Sequence, residues 1–161
     1  MQWESFSKAC PQISEVAQAR FIRDQLVMVG TLRRDGWPRV SPCEIDIAAG
    51  HLFCGMMWRS TKALDLLRDP RLAIHSVTRN REGTDGDVKL YGKGVDVRAP
   101  ALRAAFRDAI WARIDWAPEE PSYHLFSADI ERAAYLVFGE GQQRIMTWDV
   151  ERGFRQWSKG S

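Results

Sequence analysis

Between Leu26 and Met57 the sequence reads as three short β-segments joined by two tight turns, and this succession restricts the fold more than any other feature. Leu26 to Leu32 is apolar and β-rich, and Arg34-Asp35-Gly36 follows as a hairpin signal before Trp37-Pro38. Arg39 to Ile47 then runs to Ala48-Ala49-Gly50, and a third segment covers His51 to Met57, completing a meander. Strand patterns recur at 72–78, 88–97, 125–130, 133–138 and 144–150, with a last one at 154–157.

Helical periodicity is confined to three places. Ile13, Val16, Ala17 and Phe21 form a stripe after the breaker Pro11. A short helix begins at Ser60, presents Ala63, Leu64 and Leu67 on one face and stops at Asp69-Pro70. Pro100 opens a third helix, in which Leu102, Ala105, Phe106, Ala109 and Ile110 share a face. Many short strands with hairpin-length links and few helices predict a mainly β fold, an antiparallel barrel with peripheral helices. The strand–helix–strand alternation of a parallel doubly wound sheet is missing, so Gly92-Lys93-Gly94 and Gly139-Glu140-Gly141 read as bulges or tight corners rather than nucleotide fingerprints.

A chain of 161 residues has the size of one ordinary domain, and residues 1–161 are read as one. No stretch approaches the roughly 20 apolar residues of a membrane span, and the opening Met1 to Ser7 lacks the pattern of a secretory leader, so a cytoplasmic protein without a membrane partner is expected. Lys plus Arg number 23 against 21 Asp plus Glu, a net charge of +2 that argues against nucleic acid as a partner. Cys10, Cys43 and Cys54 lack CxxC spacing, and His51, His75 and His124 lie in separate segments, so neither a metal site nor a disulfide framework is expected.

The stretch Met56 to Lys62 carries the most chemistry, because it sets two hydroxyls and two cations at a strand-to-helix junction. The first amides of a helix are unpaired and its dipole favours an anion there. Ser60 and Thr61 offer hydroxyls, Lys62 a point charge and Arg59 a fork, although Ser60 acting as a plain cap and Lys62 facing water account for the same spacing. Arg39 heads the neighbouring strand and is placed to converge on the same turn, unless it pairs with Glu44 or Asp46.

The run Gly30-Thr31-Leu32-Arg33-Arg34-Asp35-Gly36-Trp37-Pro38-Arg39-Val40-Ser41-Pro42, followed by Gly50-His51-Leu52-Phe53, Ser60-Thr61-Lys62-Ala63 and Leu67-Arg68-Asp69-Pro70-Arg71, resembles the pyridoxamine 5'-phosphate oxidase-like flavin-binding split-barrel family. Val88 to Gly94 and Thr147-Trp148-Asp149 continue the likeness, which spans roughly Phe21 to Trp157. The resemblance implies a six-stranded antiparallel split β-barrel of Greek-key type, a homodimer, and FMN or the deazaflavin coenzyme F-420 held between subunits. It implies a flavin-dependent oxidoreductase that passes a hydride to or from a small conjugated substrate. A non-catalytic carrier of a flavin, haem or other ring compound is the rival reading.

Carried over by position, the cofactor-binding residues implied are Arg39, Val40 and Ser41 on the second strand, Gly55 and Met56 along the ring system, and Arg59, Ser60, Thr61 and Lys62 around the phosphate. Thr61 stands where the family's turn has an arginine, and Glu44 where the oxidase often has a lysine. The chain end, Phe154 to Ser161, lacks the oxidase's Arg-Leu-x-Pro-like tail, so pyridoxamine phosphate is not the expected substrate. Trp148 and Trp157 are candidate covers for a planar ring, with core or dimer packing as the alternative. No catalytic residue is assigned, since hydride chemistry belongs to the cofactor. Trp3, Trp37, Trp111 and Trp116 supply more aromatic surface than a small barrel easily hides, which favours a dimer.

Overall fold

Alternating burial shapes the strands first. In β1 (Leu26–Leu32) Val27 and Val29 point inward with Thr31, while the residues between them lie nearer solvent. The turn after it closes through Gly36 N–H to the Arg33 carbonyl at 2.9 Å and leads into β2 (Pro38–Ala48). Ala49 and Gly50, both at positive φ, make a two-residue hairpin of the kind that matches strand twist, and β3 (His51–Met57) follows. The short helix is the third of the chain, after α1 (Trp3–Ala9) and α2 (Pro11–Asp24); as α3 (Thr61–Arg68) it crosses over to β4 (Arg71–Ser76), which pairs with β1. The order β4-β1-β2-β3 is a Greek key.

Described here as a computed structural model over residues 1–160, the chain continues through β5 (Asp87–Asp96), α4 (Pro100–Ile114), β6 (Tyr123–Gly139), β7 (Gln142–Asp149) and β8 (Gly153–Gly160). All pairings are antiparallel, and β6 returns to β3 through Phe53↔Ser127 to Met57↔Tyr123, closing β3-β2-β1-β4-β5-β6 into a six-stranded barrel. The expected fold class is therefore met. Two expected strands, at 125–130 and 133–138, are one continuous β6, because a bulge absorbs their mismatch with β5: Tyr91 faces Arg132 and Gly92 faces Ile130, leaving Glu131 extra. A Cβ on Gly92 would lie 1.9 Å from the Asp129 carbonyl oxygen, so the backbones meet there only because residue 92 is glycine. Glu140 and Gly141, both at positive φ, form the β6–β7 hairpin, and this settles the second glycine pair as a corner.

The core has two parts. Inside the barrel Val27, Val29, Ile45, Leu52, Ile74, Leu90 and Ile130 pack together, covered by Phe6, Ile13, Ala17 and Phe21 of the first two helices. The stripe after Pro11 thus buries as expected, but α1 was not legible and Trp3, 4% exposed, belongs to this core rather than to a surface. Trp37, Trp111 and Trp116 do stand exposed. Outside the barrel Phe106 and Ile110 of α4 cover Phe53, Tyr123 and Leu125. A Cβ on Gly55 would sit 2.6 Å from Phe106 Cζ, so the glycine of β3 admits this ring against the sheet. No helix is long and apolar enough to cross a membrane among the described residues.

Asp65 ties α3 to the barrel. Its buried carboxylate accepts from Thr31 Oγ1 at 3.0 Å, Arg39 Nε at 2.7 Å and Arg68 Nη2 at 3.2 Å. Burial pushes against its charged form, yet these hydrogen bonds, led by Arg39, outweigh burial and hold its pKa below 3.8. A depressed folded pKa adds stability above the unfolded value, and that stability is lost as pH falls from about 4 through the folded value. Asp65→Ala should cost about 2–3 kcal/mol at neutral pH by stranding its partners, and urea melts at falling pH should show a flatter acid limb than the parent. An unchanged acid limb would mean that another carboxylate governs it.

Candidate functional site

β3 ends beside the start of α3, and the intervening turn is tight. The Ser60 N–H donates to the Met57 carbonyl at 3.1 Å, and Arg59 adopts positive φ, a backbone state that a non-glycine residue holds only at some cost. Ser60 occupies the cap position of α3, but its hydroxyl makes no cap hydrogen bond. Its Oγ is buried and, among the described residues, has no partner. A buried hydroxyl without a partner costs free energy and is expected to find one. The plain-cap reading of Ser60 therefore does not describe this turn.

Lys62 lies in the first turn of α3, where its ammonium donates to the Pro42 carbonyl of β2. Arg39 converges on the same helix one turn further along, fixed to Asp65, and pairs with neither Glu44 nor Asp46; Asp46 is taken by Arg113 at 3.0 Å. Arg39 Nε is committed to this ion pair, and its side chain is 30% exposed. Thr61 and Arg59 are exposed, as is Val40, while Ser41 is half-buried. Lys62, Ser60 and Thr61 are thus brought together at the helix start, whereas Arg39 is held on Asp65 one turn further along. Trp148 is not: it is 4% exposed in the main core, edge-on to Phe6 at 5.2 Å. The candidate ring cover at 148 is corrected to core packing, because α1 occupies the face it would have presented. Trp157 on β8 remains 46% exposed.

Next to this turn is a groove of about 640 Å³, within the usual size of small-molecule sites. Gly55, Met56, Met57 and Trp58 line it, the buried Phe106, Ile110 and Tyr123 form its floor, and Trp116, Pro118 and Glu119 come from the loop after α4; Pro42, Cys43, Glu44 and Lys62 complete it. The Met56 side chain turns into the barrel core, so it contributes backbone, whereas Met57 is 80% exposed. Trp58 stacks on His124 with centroids 4.6 Å apart. Burial holds the His124 pKa below 6.5, and its Nε2 is buried without a partner among the described residues. The floor is braced by Arg103, which grips Glu120 with two 2.8 Å bonds and lies 4.2 Å over the Tyr123 ring. Burial, then the hydrogen bond to Glu120, pushes the Tyr123 hydroxyl up to about 12, so it stays protonated. Cys43 is held below the usual thiol value by a hydrogen bond with Cys54, against burial, with the Lys62 charge assisting.

The groove residues contributed by α4 and the following loop were not legible as a site. Phe106 and Ile110 carried the helical period of a core face, and Trp116 and Glu119 lie in a segment with no period. All three cysteines are free and buried, and among the described residues no cluster of potential ligands could hold a metal ion.

The family described as pyridoxamine 5'-phosphate oxidase matches residues 13–137 of the chain. A search of curated proteins finds no match. Among solved structures the chain is similar to a protein related to general stress protein 26, of the pyridoxinephosphate oxidase family, from Clostridium acetobutylicum: 14% identity, 84% of this chain and 92% of that one, TM-score 0.64. It is similar to PhzG from Burkholderia lata 383, determined in complex with tetrahydrophenazine-1-carboxylic acid, at 10% identity over 99% and 93% of the two chains, TM-score 0.64. It is also similar to HutZ, the heme storage protein of Vibrio cholerae, at 18% identity over 81% and 92%, TM-score 0.61. Identities this low carry the fold alone.

Proposed function

We propose, from the premise that this chain belongs to the pyridoxamine 5'-phosphate oxidase family, that it binds FMN beside the β3–α3 turn and acts as an oxidoreductase on a small conjugated substrate. The observation that carries this reading is the Ser60 hydroxyl, buried without a partner at a helix start next to Lys62. A phosphate oxygen would accept from it and from the first amides of α3, while the Lys62 ammonium supplies charge. Arg59 stands in for the cation that Thr61 does not provide. The extended backbone at Gly55 to Met57 and the apolar floor under Phe106 would orient a planar ring and exclude water from it.

Bound FMN supplies reversible hydride transfer, and the chain's own residues supply position and a dry, partly charged wall. Tyr123 keeps its proton, and so acts on the floor as a fixed dipole rather than a base. The same phosphate grip suits the deazaflavin coenzyme F-420, and the exposed Trp37 and Trp111 suit a homodimer, with sedimentation as the check. A haem-carrier reading, prompted by the description of HutZ, has less support. It calls for an open imidazole or thiolate in the groove, whereas among the described residues no histidine lines it and Cys43, which does, is 2% exposed.

Titration of the purified protein with FMN and with F-420, followed by flavin fluorescence, should give saturable binding of one of them at micromolar concentration. Failure of both to bind below about a millimolar dissociation constant, some 4 kcal/mol, would overturn the reading. Mixing the reduced, loaded protein with quinones and enones then separates enzyme from carrier by turnover.

A further inference from the structure

The walls of the groove are unevenly charged. Among the described residues three charged side chains line it: Glu44, Lys62 and Glu119. Lys62 is engaged at the Pro42 carbonyl on the side of the α3 turn. Glu44 and Glu119 form no ion pair among the described residues, although most other acidic groups of the chain do: Asp46 holds Arg113, Asp65 holds Arg39, and Glu120 holds Arg103. Two unpaired carboxylates therefore face an otherwise apolar groove, against one cation that the phosphate would neutralise.

The aromatic groups repeat this preference. Trp58 and Trp116 are each 55% exposed and both line the groove; Trp58 has one face on His124 and is otherwise open. Indole faces attract cations through their negative quadrupole, most strongly where water is partly excluded. Met57, 80% exposed and also lining the groove, adds a soft, adaptable contact.

We infer that this groove selects a planar aromatic ligand bearing a positive charge, such as a ring amine or quaternised ring nitrogen, held between Trp58 and Trp116 with Glu44 and Glu119 as its counter-charges. As a statement about substrate the inference rests on the flavin reading above; as a statement about what the groove binds it can be tested separately. It places the specificity in Glu119 and Glu44, with Lys62 left to a phosphate.

The test is fluorescence titration of the full chain, at about pH 8, with N-methylacridinium and with neutral acridine, which share an outline and differ in charge. The cation should bind about tenfold more tightly, and added salt should narrow the gap as exposed charges are screened. The double variant Glu44→Gln/Glu119→Gln should reduce the preference to about threefold or less while acridine affinity stays unchanged. Both positions are exposed, so folding is not at risk, and Glu119→Gln alone should give an intermediate value. Equal affinities in the parent, or a preference that survives the double variant, would overturn the inference. A parallel titration with FMN and F-420 keeps the two readings apart. Charge preference with neither FMN nor F-420 bound sinks the flavin reading and leaves the groove chemistry standing; flavin binding without charge preference sinks this inference alone.

Discussion

Lys62→Ala should weaken FMN binding by about 1.5–3 kcal/mol, roughly 10- to 150-fold, while leaving riboflavin binding nearly unchanged. The expectation follows from placement. Lys62 sits in the first turn of α3 beside the unpartnered Ser60 hydroxyl, and its ammonium is already drawn to the Pro42 carbonyl at the groove wall. Removing the ammonium takes away charge where the phosphate would lie but leaves Gly55, Phe106 and Tyr123, which line the rest of the groove, in place. Riboflavin lacks the phosphate, so a loss shared by both ligands would indicate a damaged groove instead. Unaltered FMN affinity in a folded variant would remove the phosphate site from this turn.

Gly92→Ala should be the most damaging single-methyl change in the barrel, costing about 3 kcal/mol or more in urea unfolding. The added Cβ would fall 1.9 Å from the Asp129 carbonyl and its neighbours are backbone, which cannot rotate away as a side chain can. Relief requires separating β5 from β6 at the bulge that lets β6 bend from β3 to β7. Gly94→Ala is the control: the nearest atoms to its Cβ would be those of the Leu66 side chain, at 3.1 Å or more, and these can shift. Similar losses at both positions would contradict the bulge as the source of the strain.

The strand meander, the α3 crossover and the α4 face were legible because each rests on local chemistry. Turn residues at 34–36 and 49–50, alternation in β1, and proline at the start of α4 act within a few residues of where they stand. The α3 turn was legible for the same reason, since Ser60, Thr61 and Lys62 are neighbours in sequence. The join of 125–130 with 133–138 was not, because Glu131 and Arg132 look polar enough for a turn until β5 supplies a partner on both sides of the bulge.

What the sequence determined by itself is therefore the family, the barrel class and the chemistry of one turn, all written in short spacings. Tertiary structure alone decided which side chains face each other across long separations. Asp65 rather than Glu44 holds Arg39, Phe6 rather than a ligand covers Trp148, and Trp116, Glu119 and Glu44 line one groove. Such choices depend on where the helices α1, α3 and α4 dock on the closed barrel, as in the close approach of α4 to Gly55. That docking is not local, since it is the outcome of packing many side chains to close density at once.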